Sequence, residues 1–124
     1  MAKILIVEDN ADNMTLTVLL LESAGHTAIR AVDAEAGLTL ARAELPDLIL
    51  MDIQLPGMDG LQATALLKSA AATRHIPVIA LTALAMIGDE ERIRAAGYDG
   101  YICKPIRIHE FLAAIAARLA TPSS

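Results

Sequence analysis

Short aliphatic runs alternate along the chain with longer stretches in which apolar side chains recur every three or four positions. Residues 3–7 (KILIV) predict a buried strand, closed by the polar break Glu8, Asp9 and Asn10. Over 12–24 the spacing of Leu16, Leu19, Leu20 and Ser23 or Ala24 predicts a helix that Gly25 stops. Residues 27–31 read as a second strand, and Asp33 can cap a helix over 34–43 with Leu38 and Ala41 turned inward. Pro46 breaks that helix before a third strand, 47–51 (DLILM), a loop over 52–60 and a helix over 61–69. A fourth strand, 77–81 (PVIAL), leads to a short helix over 88–96 that ends at Gly97. Residues 100–103 make a fifth strand. The last helix carries Ile108, Phe111, Leu112, Ile115 and Leu119 at helical spacing, with a flexible tail over 121–124.

Five strand–helix units with almost uninterrupted apolar strands imply a parallel sheet covered by helices on both faces. No repeat, linker or low-complexity tract breaks the alternation. The expectation is one doubly wound α/β domain over 1–120.

Composition agrees with this. A chain of 124 residues suits a single domain that buries roughly two thirds of its unfolded surface. A hydrophobic fraction of 55% excludes a disordered chain, although 24 alanines inflate it. The single Cys103 excludes an internal disulfide and suits a reducing compartment. The longest apolar-leaning stretch, 77–87, is far shorter than the ~20 residues of a bilayer span, and no signal peptide is readable. A cytoplasmic protein without membrane insertion is expected.

Charge is unevenly placed. Residues 1–62 carry a net −7 and residues 63–124 a net +2. An acidic chain whose only aromatics are Tyr98, Tyr101 and Phe111 offers neither the basic surface nor the stacking platforms of nucleic-acid binding. It could concentrate a cation, or the charge could simply keep it soluble.

In open parallel sheets, ligands bind beyond the carboxyl ends of the strands. Glu8 and Asp9 follow strand one, Asp52 strand three, Thr82 strand four and Lys104 strand five. Three carboxylates, a hydroxyl and an ammonium therefore converge on one edge. Two like charges about 4 Å apart repel by roughly 4 kcal/mol at an effective dielectric near 20, so such carboxylates take up protons or a cation. Hard oxygen ligands suit Mg²⁺, whereas the scattered His26, His75, His109 and Cys103 indicate no zinc site. A carboxylate beside Mg²⁺ and a lysine is equipped for phosphoryl chemistry. A self-neutralising cluster of surface ions is the plainer alternative.

Four blocks of the chain also resemble a known family. Ile6-Val7-Glu8-Asp9-Asn10, the run from Leu48 through Asp52 to Pro56-Gly57-Met58-Asp59-Gly60, Ala80-Leu81-Thr82-Ala83, and Lys104-Pro105 are similar to the signature blocks of response-regulator receiver domains, the CheY-like modules of two-component signalling. The resemblance runs the length of the chain, and around Asp52 and over 87–94 the wording resembles a single-domain cell-cycle regulator of that family. It implies a flavodoxin-like sheet of order 2-1-3-4-5 with five helices. Asp52 would accept a phosphoryl group. Asp9 directly, Glu8 through water, Asp52 and the Gln54 backbone carbonyl would hold Mg²⁺. Thr82 and Lys104 would bind phosphoryl oxygens, Ala83 would leave room for phosphoryl access, and Tyr101 would be the switching aromatic that follows Thr82. Glu8 stands where Asp is commoner in the family, which lengthens one carboxylate.

The implied partners are a histidine kinase or histidine phosphotransfer protein, docking on helix one, where Met14 and Leu21 could contribute. A downstream protein would meet the face of helix four, strand five and helix five, and the chain itself would be a monomer or weak dimer. The chain ends with the fifth helix, so output is expected through binding or onward phosphotransfer rather than through a further domain.

Plainer readings stand beside these. Tyr101 alone would be a strand aromatic packed on the last helix, and Cys103 a core residue of a buried strand. His109 is expected to be exposed. Only ~5–6% of X-Pro bonds are cis, but the resemblance implies a cis bond at Lys104–Pro105 that aims the lysine. A non-phosphorylated scaffold would be expected to lose the acceptor, the lysine or the acidic pair. A haloacid-dehalogenase-type phosphohydrolase would want a D-x-D motif after strand one, where this chain has Glu8-Asp9.

Overall fold

In the computed structural model, which describes residues 2–83 and 89–120, strands and helices alternate without exception. The strands are β1 (Lys3–Val7), β2 (Thr27–Ala31), β3 (Leu48–Asp52), β4 (Val78–Thr82) and β5 (Gly100–Cys103). Between and after them run the helices α1 (Ala11–Ser23), α2 (Ala34–Glu44), α3 (Gly60–Ser69), α4 (Asp89–Ala95) and α5 (Ile108–Ala120). All strand pairs are parallel, in the order β2-β1-β3-β4-β5. The doubly wound sheet and the 2-1-3-4-5 order are therefore present.

Polar residues at the carboxyl edge start three of the helices. Asn10 accepts from the amide of Asn13 at 3.0 Å, and Asp33 from that of Ala36 at 2.8 Å. Asp59 and Gln62 close a reciprocal capping box on α3. The loops that follow β1 and β3 are thus pinned at the point where α1 and α3 begin.

Alternate strand residues feed two cores. On one face Leu5, Val7, Ile49, Met51, Val78 and Ala80 pack against α2, α3 and Ile93 of α4. On the other, Ile4, Ile6, Leu48, Leu50, Ile79 and Leu81 meet α1 and α5. Every residue of β3 and β4 is buried, whereas the edge strands β2 and β5 are partly open.

Several sequence expectations need correction. β3 and β4 each run one residue further than the aliphatic pattern suggests, so Asp52 and Thr82 end their strands instead of following them. Cys103 is exposed, because β5 is an edge strand whose burial alternates. On α1 the sheet selects Met14, Val18, Leu20 and Leu21, and leaves Leu16 and Leu19 at 38% and 61% exposure. The near-continuous apolar run over 14–21 hides which stripe faces inward. With Met14 and Leu21 buried, neither offers a docking surface. Ile108, at the first position of α5, is half exposed, while Phe111 and Ile115 below it are buried. His109 is exposed as expected. The expected tail over 121–124 and Gly88, the expected start of the fourth helix, lie outside the described residues. Among those described, no helix is long and apolar enough to cross a membrane.

Candidate functional site

Glu8 continues β1 by one residue, its amide donating to the Ala31 carbonyl at 3.0 Å, and its side chain points into the carboxyl edge with only 1% exposure. Asp52 ends β3 with 5% exposure. From the far side, the Lys104 amide donates to the Thr82 carbonyl at 2.7 Å, and the Lys104–Pro105 peptide is cis, as the resemblance implied. The Lys104 ammonium then reaches across the edge, donating to Glu8 Oε1 at 2.9 Å and to Asp52 Oδ2 at 2.8 Å. Residues 96 positions apart in the chain meet here.

The second oxygen of Asp52 accepts the Gln54 amide at 3.0 Å. The sequence singled out Gln54 for its carbonyl; the contact the structure shows is through its N–H, which holds one oxygen of Asp52. Asp9 is exposed at the mouth, and Glu8, Asp9 and Asp52 each present an oxygen within 4.8 Å of the others.

The electrostatics follow from this crowding. Burial, and then the neighbouring Asp52, push the Glu8 carboxyl up to about 7, with Lys104 pulling the other way. Burial alone would lower the Lys104 ammonium, but contact with Asp52 and Glu8 outweighs it and leaves the group above its ordinary range. A desolvated pair of carboxylates that keeps a proton near neutrality lacks positive charge. The ammonium supplies part of it, and the exposed Asp9 leaves the oxygen cluster open to solvent on one side. Such a donor set fits a hard divalent cation such as Mg²⁺, which favours carboxylate oxygens and keeps several waters.

The other expected residues lie at the end of β4 and along β5. Thr82 is buried at 2% exposure where β4 ends, and Ala83 is exposed beyond it. Leu84, which the family resemblance would place with Gln54 beside the approach to Asp52, lies outside the described residues. Tyr101 on β5 pairs in register with Ala80 on β4, and it is 42% exposed. It lines an open cavity of about 440 Å³ together with Cys103, Arg107, Glu110 and Phe111.

Gly60, which the sequence placed at the end of the loop over 52–60, is also required by packing. A Cβ there would lie 1.9 Å from the Asp52 carbonyl oxygen and 2.6 Å from the Tyr98 hydroxyl. Its own amide donates to the Ile53 carbonyl at 2.9 Å. The loop over 53–59 therefore folds back tightly against Asp52, and only a residue without a side chain permits it. The Asp59-Gly60 pair at a helix start is the visible signal; the close approach to β3 is not readable from the chain.

Comparison with known proteins agrees with this geometry. Residues 4–116 match the response regulator receiver domain. The polar-differentiation response regulators DivK of Brucella anthropi and Brucella ovis are each 52% identical over 116 residues, 94% of this chain and 94% of theirs. A putative response regulator from Chloroflexus aurantiacus superposes with a TM-score of 0.92 at 29% identity, over 97% of this chain and 98% of its own. The receiver domain of the sensor histidine kinase PA1611 from Pseudomonas aeruginosa, solved with a magnesium ion coordinated in its active-site cleft, gives a TM-score of 0.90 at 34% identity, over 97% and 98% of the two chains. With its carboxyl-edge cluster, its sheet order and a match over nearly its whole length, the chain belongs to the response-regulator receiver domain family of two-component systems.

Proposed function

We propose that this chain is a stand-alone phosphorylation switch that accepts a phosphoryl group on Asp52 from a phosphohistidine and signals through a binding partner or by onward transfer. Receiver domains are signalling switches, and the DivK relatives, matched over 94% of their own length, support a role without a further domain. The observation that carries the reading is the buried Asp52 carboxylate, gripped by Lys104 and Gln54 and crowded by Glu8 and Asp9.

Glu8, Asp9, Asp52 and the Gln54 carbonyl would hold Mg²⁺. Bound there, the ion would neutralise the carboxylates and the phosphoryl oxygens. An oxygen of Asp52 attacks phosphorus in line with the imidazole leaving group. The new P–O bond forms as the P–N bond breaks, and the electron pair stays on the imidazole nitrogen, which takes up a proton. Lys104 keeps the carboxylate oriented before attack and pairs with a phosphoryl oxygen after it. The Thr82 hydroxyl binds another oxygen, and Ala83 leaves the path open. Drawing Thr82 inward vacates space into which the half-exposed Tyr101 ring can turn.

Two surfaces serve partners in this reading. A histidine kinase or histidine phosphotransfer protein meets α1 beside the acidic mouth, where Leu16 and Leu19 are the exposed apolar residues. A downstream protein meets the α4–β5–α5 face, which carries Tyr101 and the cavity beside it. The chain works in the cytoplasm as a monomer or weak dimer, with the domain ending near residue 120.

The test is intact mass after incubation with a small phosphodonor and Mg²⁺. The wild type should gain the mass of one phosphoryl group and Asp52→Asn should gain none. An unmodified wild type, under conditions in which a known receiver reacts, would favour the non-phosphorylated scaffold.

A further inference from the structure

A tyrosine hydroxyl inside an aliphatic core is costly to desolvate unless it is bonded. Tyr98 is 4% exposed and sits among the residues packed between the sheet and α3. Burial pushes its hydroxyl well above the ordinary tyrosine range, so it is a neutral donor. It donates to the Met51 carbonyl at 3.4 Å, a long bond. Thr64 Oγ1, fully buried on α3, lies against the same hydroxyl and makes no hydrogen bond of good geometry among the described residues. Gly60, whose added Cβ would meet both the Tyr98 hydroxyl and the Asp52 carbonyl, closes the third side. One hydroxyl is thus packed against β3 and α3 within a residue of the acceptor.

The backbone of the same tyrosine belongs to the end of α4. Its amide donates to the Ile93 carbonyl at 3.3 Å, and Gly97, at φ 104°, turns the chain out of the helix with its amide on the Arg94 carbonyl at 3.0 Å. Ile93 is 3% exposed and shares the Tyr98 core.

We propose that Tyr98 is a positioning residue that ties the end of the acceptor strand to α4 through its hydroxyl. The role rests on the reading of Asp52 as the phosphoacceptor. A long bond beside a hydroxyl without a bond of good geometry has two arrangements, Oη on the Met51 carbonyl or on Thr64 Oγ1. A phosphoryl group on Asp52 acts on the last residue of β3 and shifts the balance between them, and the last turn of α4 follows the ring. This coupling runs through the core beneath α3, separate from Thr82 and the half-exposed Tyr101.

Hydrogen exchange of the α4 peptide tests it, in the full chain with and without a small phosphodonor and Mg²⁺. Wild type, Tyr98→Phe and Thr64→Val are compared at equal phosphoryl occupancy, read by intact mass. Phe keeps the ring and Val keeps the shape of threonine, so packing alone would leave the response unchanged. The wild type should show a severalfold change in α4 exchange on phosphorylation, and each variant less than half of it. Either variant alone suffices if the other does not fold. A variant response equal to wild type, or a phosphorylated wild type with no α4 response, overturns the coupling. A wild type that takes up no phosphoryl group overturns the acceptor reading itself, and the coupling with it.

Discussion

Replacing Gly60 by alanine tests how the site around Asp52 is built. The added methyl group would stand 1.9 Å from the Asp52 carbonyl oxygen and 2.6 Å from the Tyr98 hydroxyl, whereas such contacts do not fall below 3.0 Å. The first turn of α3 and the end of β3 must therefore separate by about 1 Å or more. The Tyr98 hydroxyl can yield, but the Asp52 carbonyl is backbone at the end of a fully buried strand. Overpacking of this kind costs about 1–3 kcal/mol, and a clash with backbone belongs at the upper end. In a domain of this size that lowers the melting temperature by roughly 4–12 °C. The displacement falls on Asp52 itself, so if Asp52 is the acceptor as proposed, phosphoryl uptake should slow by more than the fraction unfolded explains. Gly57→Ala is the control: Gly57 has φ 75° but nothing within 4 Å of an added Cβ, so only conformational strain of about 1–2 kcal/mol is expected. Thermal melts and initial rates of phosphoryl uptake decide the matter. A Gly60→Ala protein within 0.5 °C of wild type and equally reactive would refute the close approach.

Three further outcomes follow from the site and its loop. The folded protein holds Glu8 protonated up to about pH 7 while an unfolded glutamate releases its proton near 4.5, so stability declines as pH rises between them, by up to about 3 kcal/mol without metal. Denaturant melts at pH 5 and pH 8 should show this decline in wild type and its loss in Glu8→Gln; identical slopes in the two would contradict it. Removing the ammonium in Lys104→Met should tighten Mg²⁺ binding severalfold, because the cation no longer competes for Glu8 and Asp52, while phosphoryl uptake falls; Mg²⁺ titrations by thermal shift and intact mass separate the two effects. Asp59→Ala opens the capping box of α3 and should cost about 1 kcal/mol by chemical denaturation, with an unaltered melt counting against the cap.

Much of this could be read from the chain because strand ends in a parallel sheet are easy to place. Aliphatic runs such as KILIV and DLILM are short, nearly pure and followed at once by polar residues, so the convergence of Glu8, Asp9, Asp52, Thr82 and Lys104 needs only the assumption of parallel strands. What stayed hidden depends on neighbours rather than on local pattern. The exposure of Cys103 follows from β5 lying at the sheet edge with alternating burial. The exposure of Leu16 and Leu19 follows from which stripe of a helix with leucines on more than one side meets the sheet. Gly60 and Tyr98 meet behind Asp52 although a turn glycine and a lone aromatic carry no mark of each other in the chain. The sheet order itself came from family resemblance rather than from periodicity, since alternation alone does not number the strands.

The central claim is that Asp52 itself forms the acyl phosphate. Borohydride reduces an aspartyl phosphate to homoserine, so reduction after phosphodonor treatment, followed by peptide mass analysis, marks the acceptor permanently. Homoserine is expected at position 52, dependent on Mg²⁺ and absent from Asp52→Asn. Homoserine at Asp9 or any other carboxylate, or a reacted protein without it at position 52, would contradict the account.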